Sequence, residues 1–186
     1  MARIMELVSP KVERTEQFRD YGKFTISPLE RGYGVTLGNA LRRTLLSSLE
    51  GAAVTSVHIT DVMHEFSTIE GVREDVIQVI LQIKLLRFKL HNVDSASIHL
   101  DVKGAGTITG ADIICPPEVE VVNPDLYLFS INDPNARVEM DMNVEAGRGY
   151  IPATDRSDRL AIGVLPVDAI FSPVRRVNWE VTSARV

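Results

Sequence analysis

The chain has 186 residues, 45% hydrophobic and 24% charged, which is the composition of an ordinary globular protein with one sizeable core or two small ones. Its formal net charge of −5 excludes a general attraction to nucleic acid, and the basic pairs Arg42-Arg43 and Arg175-Arg176 are too few to form a track along DNA. No segment approaches the ~20 apolar residues that span a bilayer, and the N-terminal stretch lacks a signal-peptide core. The single cysteine, Cys115, excludes an internal disulfide. We therefore expect a soluble cytoplasmic protein that contacts neither membrane nor DNA directly.

The first elements along the chain are a strand, a turn and a helix. Residues 23–27 alternate polar and apolar side chains as a half-buried strand does, and because Pro28 has no N–H to donate, the strand either stops there or lies at the edge of a sheet. After a glycine-rich turn, Thr36 is placed to cap the N-terminus of a helix. Gly51 suits the left-handed position that follows a helix, so we expect the helix to end there.

This helix carries an apolar stripe. Leu37, Leu41 and Leu45 recur at intervals of four residues, and Ala40 and Leu49 widen the stripe. Such a stripe must be buried, but the pattern alone is more typical of a helix that packs only on its own sheet.

A strand over residues 53–60 and a second helix over residues 72–83 are predicted next. Glu70, Glu74 and Asp75 sit favourably near the positive N-terminal end of that helix. Its apolar residues share one face: Val72, Val76, Val79, Ile80 and Ile83.

The segment from Leu86 to Val144 changes to short strands. Ile98, Leu100 and Val102 alternate with polar residues, as do Val138, Met140, Met142 and Val144, which predicts an antiparallel β region. A charged loop follows at residues 155–159. Residues 174–181 are strand-like, with their apolar residues on one face: Val177, Trp179 and Val181.

A dinucleotide site is one enzymatic interpretation of Gly32, Gly34 and Gly38, with Asp61 as the acid that would bind a ribose. The strand before these glycines alternates and ends in proline, whereas a buried parallel strand is almost continuously apolar. We therefore favour a tight turn and a helix that approaches another backbone closely. Saturable binding of a nicotinamide cofactor at micromolar concentration would favour the enzyme instead.

Other catalytic and metal-binding interpretations are weaker. His58, His64 and Glu65 lack the spacing of a zinc site. Cys115 precedes two prolines and has no neighbouring histidine, so we expect a buried structural thiol. Asp155 and Asp158 alternate with arginines, which is typical of a solvated loop. We expect no cofactor and no active site. A β-rich module that binds an unrelated protein remains an alternative.

Four strings of the chain resemble the N-terminal part of the bacterial RNA polymerase alpha subunit. The first is Leu29–Val57, LERGYGVTLGNALRRTLLSSLEGAAVTSV, and the second is His64–Asp75, HEFSTIEGVRED. The third and fourth are Gly147–Ala153, GRGYIPA, and Val167–Val174, VDAIFSPV. They occur in the family's order and are together far more specific than one short motif.

The resemblance implies an α+β fold with two subdomains. A helix-and-sheet dimerisation subdomain would comprise residues 1–51 and 170–186, and a mostly antiparallel β subdomain would be inserted at residues 52–169. The family continues beyond the position of Val186 with a second long helix, a linker and a small DNA-binding domain. We therefore expect a dimer of this chain alone to be weakened.

The resemblance also implies a role in transcription. The alpha dimer would be an assembly scaffold that recruits the beta and beta-prime subunits of DNA-directed RNA polymerase, with omega and sigma in the same complex. The chain would be a non-catalytic subunit of this nucleotidyltransferase.

The resemblance implies two groups of contact residues. The dimer interface would be formed by Tyr33, Leu37, Leu41 and Leu45. The contacts with the large subunits would be formed by Arg42, Arg43, His64, Glu65, Phe66, Ser67 and Arg148, among which Arg43 matches the family arginine for the beta subunit.

Overall fold

A computed structural model describes residues 9–155 and 160–183, which form mostly antiparallel β-sheet with two α-helices. The helices are α1 (Tyr33–Ser47) and α2 (Val76–Ile83), and short 3₁₀ turns occupy Gly110–Asp112 and Ala153–Asp155. The strands of the described chain are β1 (Lys11–Phe18), β2 (Tyr21–Ser27), β3 (Glu50–Ile59), β4 (Phe88–Leu90), β5 (Ser95–Lys103), β6 (Gly106–Thr109), β7 (Val119–Val121), β8 (Tyr127–Ile131), β9 (Arg137–Arg148), β10 (Tyr150–Ile151), β11 (Val164–Pro166) and β12 (Ala169–Ile170). This content is compatible with the predicted α+β class.

The largest sheet has six strands. Five of them follow the order β5-β9-β3-β4-β7, and β11 pairs with β3 beside β4. Every pair is antiparallel, and the register of β3 on β9 shifts at a bulge between Val54 and Ser56. The central pair, β3 with β9, joins two segments that lie far apart in the chain. The predicted antiparallel β region is therefore confirmed.

Alternation along β9 explains how this sheet builds a core. Val138, Met140, Met142 and Val144 are buried, whereas the residues between them are at least partly accessible. Successive side chains of a strand point to opposite faces, so one face joins the core and the other meets solvent. Burial of each such apolar side chain contributes roughly 1.5–3 kcal/mol.

Helix α2 closes the same core but is shorter than the sequence predicted. Val76, Val79 and Ile83 are buried in it, while Val72 precedes the helix and packs against the core from a loop. The predicted start at residue 72 is wrong because Asp75 is the N-cap: its side chain accepts a hydrogen bond from the Gln78 N–H at 2.7 Å.

Glu74, which the sequence placed near the N-terminal end of α2, hydrogen-bonds to strand β8. Its carboxylate accepts hydrogen bonds from the Tyr127 hydroxyl and from the Ser130 N–H, the latter at 2.8 Å. Partial burial alone would raise the pKa of Glu74, but these two hydrogen bonds, with a further backbone hydrogen bond and the charge of Arg73, together lower the pKa.

The chain divides into two compact units, Leu45–Arg175 and the described part of Met1–Thr44 with Arg176–Val186. Every residue that is buried in the described part of the chain lies in the first of these. The other unit contains the β1–β2 hairpin and most of α1, and none of its described residues is buried. Strand β2 ends at Ser27, immediately before Pro28 as predicted, and the Ser27–Pro28 peptide bond is cis. Strand β1 was not predicted.

Both predicted ends of helix α1 are wrong. The helix begins at Tyr33, so Thr36 lies inside it and is not its N-cap. It ends at Ser47, and Gly51 belongs to β3, where it faces Gly147 of β9. Glycine is needed at position 51 for close approach and not for a left-handed turn: an added Cβ would lie 1.9 Å from the Phe171 carbonyl oxygen.

The predicted last strand is also wrong. Residues 174–181 are irregular and pair with none of the described strands. The alternating apolar residues there meet a helix instead: Cβ atoms added at Gly34 and Gly38 would clash with the side chains of Val181 and Trp179, at 2.9 Å and 2.6 Å. Alternation indicates a one-sided extended segment but does not by itself supply a hydrogen-bonding partner.

Candidate protein-contact site

The predicted dimer residues lie along one side of helix α1. Tyr33, Leu37, Leu41 and Leu45 follow each other at intervals of four residues, which places them in one stripe. Tyr33 is 60% exposed, Leu41 is 39% exposed and Leu45 is similar, while Leu37 is half-buried. Nothing in the described chain covers the stripe fully, although its residues are apolar. Such a surface favours contact with another molecule.

Arg42 and Arg43 are exposed on the same helix. Arg43 follows Leu41 by two residues, which turns it about 200° around the helix axis from that leucine. The apolar stripe and the Arg43 guanidinium therefore leave α1 on different sides. One helix can thus offer an apolar contact to one partner and a charged contact to another.

The predicted contacts His64 to Ser67 form a loop between β3 and α2. The His64 Nδ1 and the Ser67 Oγ lie 3.0 Å apart, and the Ser67 N–H donates to the His64 carbonyl at 3.1 Å. The Val76 N–H donates to the Ser67 carbonyl at 3.3 Å, which ties the loop to the start of α2. Phe66 is 76% exposed at the tip of this loop.

A shallow groove lies beside this loop and joins it to α2. It is lined by Glu65, Ile77, Ile80, Leu81, Lys84, Ala153, Pro166 and Asp168. Its floor is mainly aliphatic, and Leu81 is 52% exposed. An apolar floor with charged groups at its margin is the usual composition of a protein–protein contact.

An ion pair borders the groove. The Lys84 ammonium donates to Asp168 Oδ2 at 2.7 Å, and the Ala153 N–H donates to Asp168 Oδ1 at 2.8 Å. The hydrogen bond from Lys84, followed by that from Ala153, holds the pKa of Asp168 below its usual value. Asp168 therefore stays ionised and joins α2 to the segment around residue 153.

Arg148 is the last residue of β9 and is exposed. Its guanidinium pairs with the carboxylate of Glu50, which lies directly across the ladder on β3, and Nε donates to Glu50 Oε1 at 3.1 Å. An exposed pair of this kind contributes little to stability. It is therefore available for recognition at little cost to the fold.

Of the predicted large-subunit contacts, His64 and Ser67 bond to each other, and Glu65 joins the groove. The groove residues Ile77, Leu81, Lys84 and Asp168 were missed as site residues. The sequence does contain a signal for Ile77 and Leu81: the apolar residues of α2 extend beyond the face that packs on the core. The Lys84–Asp168 pair carries no local signal because 84 positions separate its members.

The structure offers little support for a nucleotide or metal site. Gly32 has a φ of +89° and makes the predicted tight turn, but Gly34 and Gly38 are covered by the side chains of Val181 and Trp179 and not by a backbone. In residues 9–155 and 160–183, no three His, Cys, Asp or Glu residues converge as metal ligands. Asp158, like the rest of 156–159, lies outside the described residues.

Two remaining expectations concern Cys115 and membrane spans. Cys115 is half-buried and not buried as predicted, because it packs against the margin of the core, and this burial raises the pKa of its thiol. Neither α-helix of the described chain has the length and apolarity that crossing a bilayer requires.

Residues 57–172, more than half of the chain, match the family of the RNA polymerase Rpb3/RpoA insert domain. Three curated relatives are named DNA-directed RNA polymerase subunit alpha. Those of Carboxydothermus hydrogenoformans, Limosilactobacillus reuteri and Desulforudis audaxviator are 53%, 48% and 50% identical to this chain, in each case over 98% of it. The chain spans 58–59% of the length of these relatives.

The β-rich unit around β3 and β9 is thus an RNA polymerase insert domain in class, and it covers the matched residues. The chain belongs to the bacterial RNA polymerase alpha-subunit family, which confirms the resemblance carried by its four sequence strings.

Proposed function

We propose that this chain is a non-catalytic assembly subunit of bacterial DNA-directed RNA polymerase. Two copies form a homodimer that recruits the beta and beta-prime subunits, and nucleotidyl transfer belongs to the complete complex. The observation that carries this proposal is the apolar stripe of α1, which is only partly covered within the described chain although burial of a leucine contributes roughly 1.5–3 kcal/mol.

A second copy is the occupant proposed for this stripe. A two-fold interface is self-complementary, so one apolar helix face can bury itself against the same face of the other copy. The unit that contains most of α1 has no buried residue among its described positions, which supports a need for such a partner. Tyr33, Leu37, Leu41 and Leu45 would form the contact.

The large subunits are proposed to dock on two kinds of surface: exposed arginines, and the loop of residues 64–67 with its adjacent groove. Arg42 and Arg43 are both exposed on α1, Arg43 on a different side from the stripe, and arginine is enriched among residues that dominate binding energy. The loop of His64, Glu65, Phe66 and Ser67 with its adjacent groove supplies exposed apolar area. Arg148 adds a further charge. Dimer and docking surfaces therefore use different side chains.

Further parts of the proposal concern organisation and partners. Residues 1–51 and 170–186 are proposed as the dimerisation subdomain and residues 52–169 as the inserted β subdomain. Omega and sigma share the assembled complex in the cytoplasm. The net charge of −5 supports a role in which this chain does not itself bind DNA.

Co-expression with the beta and beta-prime subunits, followed by mass measurement of the purified complex, tests the proposal. The expected complex contains two copies of this chain and one copy of each large subunit. A chain that purifies only as a monomer, while the large subunits are expressed and folded, contradicts the proposed function.

Arg43→Ala tests the assignment of the beta-subunit contact. Removal of the guanidinium is expected to weaken capture of the beta subunit about tenfold, or ~1.4 kcal/mol, with folding and dimerisation intact. Affinity is measured on the co-expressed dimer by titration with the beta subunit. Lys89→Ala is the matched control, because it removes the same charge from an exposed position of β4. Equal affinities for the two variants would contradict the assignment.

A further inference from the structure

Two glycines face each other on the central strands of the β-rich unit. Gly51 of β3 is paired with Gly147 of β9, and both are covered by one residue, Phe171. An added Cβ at Gly51 would lie 1.9 Å from the Phe171 carbonyl oxygen, and one at Gly147 would lie 2.8 Å from its ring. Phe171 can therefore pack against this strand pair only because Gly51 and Gly147 have no side chains.

Phe171 is fixed against this strand pair from several directions. It is 2% exposed and packs with Ala53 and Ala169 in a small cluster that is separate from the main core. Its N–H donates to the Gly149 carbonyl at 2.9 Å. Because the main core does not include Phe171, a change at this position leaves most of the buried area in place.

Arg148 lies in sequence between Gly147 and Gly149, and Phe171 contacts both of these glycines. The Phe171 ring lies over Gly147, and its N–H binds Gly149, which has a φ of +68°. The backbone is thus held on both sides of Arg148, while its guanidinium projects outward to Glu50.

We propose that Phe171 is a positioning residue that sets Arg148 for contact with a large subunit of the polymerase. This rests on the proposed function, and it assigns to the string around Phe171 a role in recognition beyond packing. A backbone held at Gly147 and Gly149 loses less conformational freedom when Arg148 is immobilised by a partner, so affinity increases without a new contact.

A double-mutant cycle on the co-expressed dimer tests the proposal, with beta and beta-prime titrated separately. Arg148→Ala is expected to weaken binding of one of them about tenfold. Phe171→Leu and Gly147→Ala are each expected to weaken the same subunit at least about fivefold, but less than about twofold once Arg148 has already been replaced by alanine. Circular dichroism and thermal unfolding verify that each variant folds.

The outcomes separate this inference from the proposed function. Additive losses, in which Phe171→Leu is as harmful in the Arg148→Ala background as in the parent chain, mean that Phe171 acts through general packing and overturn the inference. So does an Arg148→Ala variant that binds both large subunits normally while Arg43→Ala is impaired, although the proposed function then stands. If the unsubstituted dimer captures no large subunit, both fail.

Discussion

Asp168 shows how one carboxylate can join distant segments. It accepts hydrogen bonds from Lys84 on α2 and from the Ala153 N–H, and both favour its ionised form. Its pKa therefore lies below the ordinary value of about 3.9 in the folded chain. The resulting stability is present above that ordinary value and is lost as the pH falls through the lower folded-state pKa.

Asp168→Asn is expected to lower the free energy of unfolding by about 1 kcal/mol at pH 7. Asparagine can still accept from Ala153, so the loss reports mainly the charge on Lys84. The difference from the unsubstituted chain is expected to shrink as the pH falls below the ordinary aspartate pKa toward the lower folded-state pKa, and therefore to be smaller at pH 3 than at pH 7. Urea unfolding at the two pH values measures it.

Asp125→Asn is the control, because it removes an exposed carboxylate from the turn before β8. Its effect is expected to stay within about 0.5 kcal/mol, as for most surface substitutions. A difference for Asp168→Asn that is as large at pH 3 as at pH 7 would show that the charge is not its cause.

At the scale of elements, α1 and α2 differ in what surrounds them. Helix α2 buries Val76, Val79 and Ile83 in the main core, whereas α1 has no buried residue along its fifteen positions. Helices of that length are marginal in water without packing. The stability of α1 therefore depends on what covers its apolar stripe.

Leu41→Asp is expected to abolish dimerisation or to raise the dissociation constant at least about tenfold. The substitution places a charge in an interface that offers it no partner, and desolvation of a charge is costly. Sedimentation equilibrium of the full chain measures the dissociation constant.

Asn39→Asp is the matched control for this substitution. It adds the same charge to an exposed position of α1 about 200° around the axis from Leu41. Dimerisation is expected to be unchanged. If both variants self-associate like the parent chain, the leucine stripe is not the dimer interface.

At the scale of the whole molecule, burial is unevenly distributed between the two units. All buried residues fall within Leu45–Arg175, and the described part of the other unit has none. Local opening requires little energy where few apolar contacts are broken. Among the described residues, only those of Leu45–Arg175 form a buried core, so we expect the amides of the other unit to be less protected.

Hydrogen exchange is expected to reflect this division. Amides of β1, β2 and α1 in the monomer should exchange at least ~100-fold faster than those of β3 and β9. As the protein concentration rises through the dimerisation range, protection should increase in α1 and stay constant in β9. Mass spectrometry of peptic fragments measures both.

The Leu41→Asp variant supplies the comparison for this experiment. Its α1 amides are expected to stay unprotected at concentrations where the parent chain is dimeric. Protection of α1 that does not change with concentration, in a sample that sedimentation shows to dimerise, would place the interface elsewhere.

Local patterns predicted much of the β-rich unit. The alternation in β5 and β9 and the apolar face of α2 are set by residues two to four positions apart, and the structure buries those faces. Element ends were less predictable: Gly51 has the usual signature of a helix end but serves a close approach to Phe171, 120 positions later in the chain. The predicted dimer and large-subunit contact residues were taken from the family resemblance, because periodicity does not indicate which partner a residue binds.

The family, the antiparallel β region and the apolar stripe of α1 follow from the sequence, because they depend on short-range spacing and on ordered motif strings. Which apolar faces are covered depends on the fold. Leu41 of α1 and Leu81 of α2 remain exposed, Lys84 pairs with Asp168, and Phe171 packs against Gly51 and Gly147. The physical reason is that these contacts join residues far apart in the chain, and their geometry follows from packing and not from local preference.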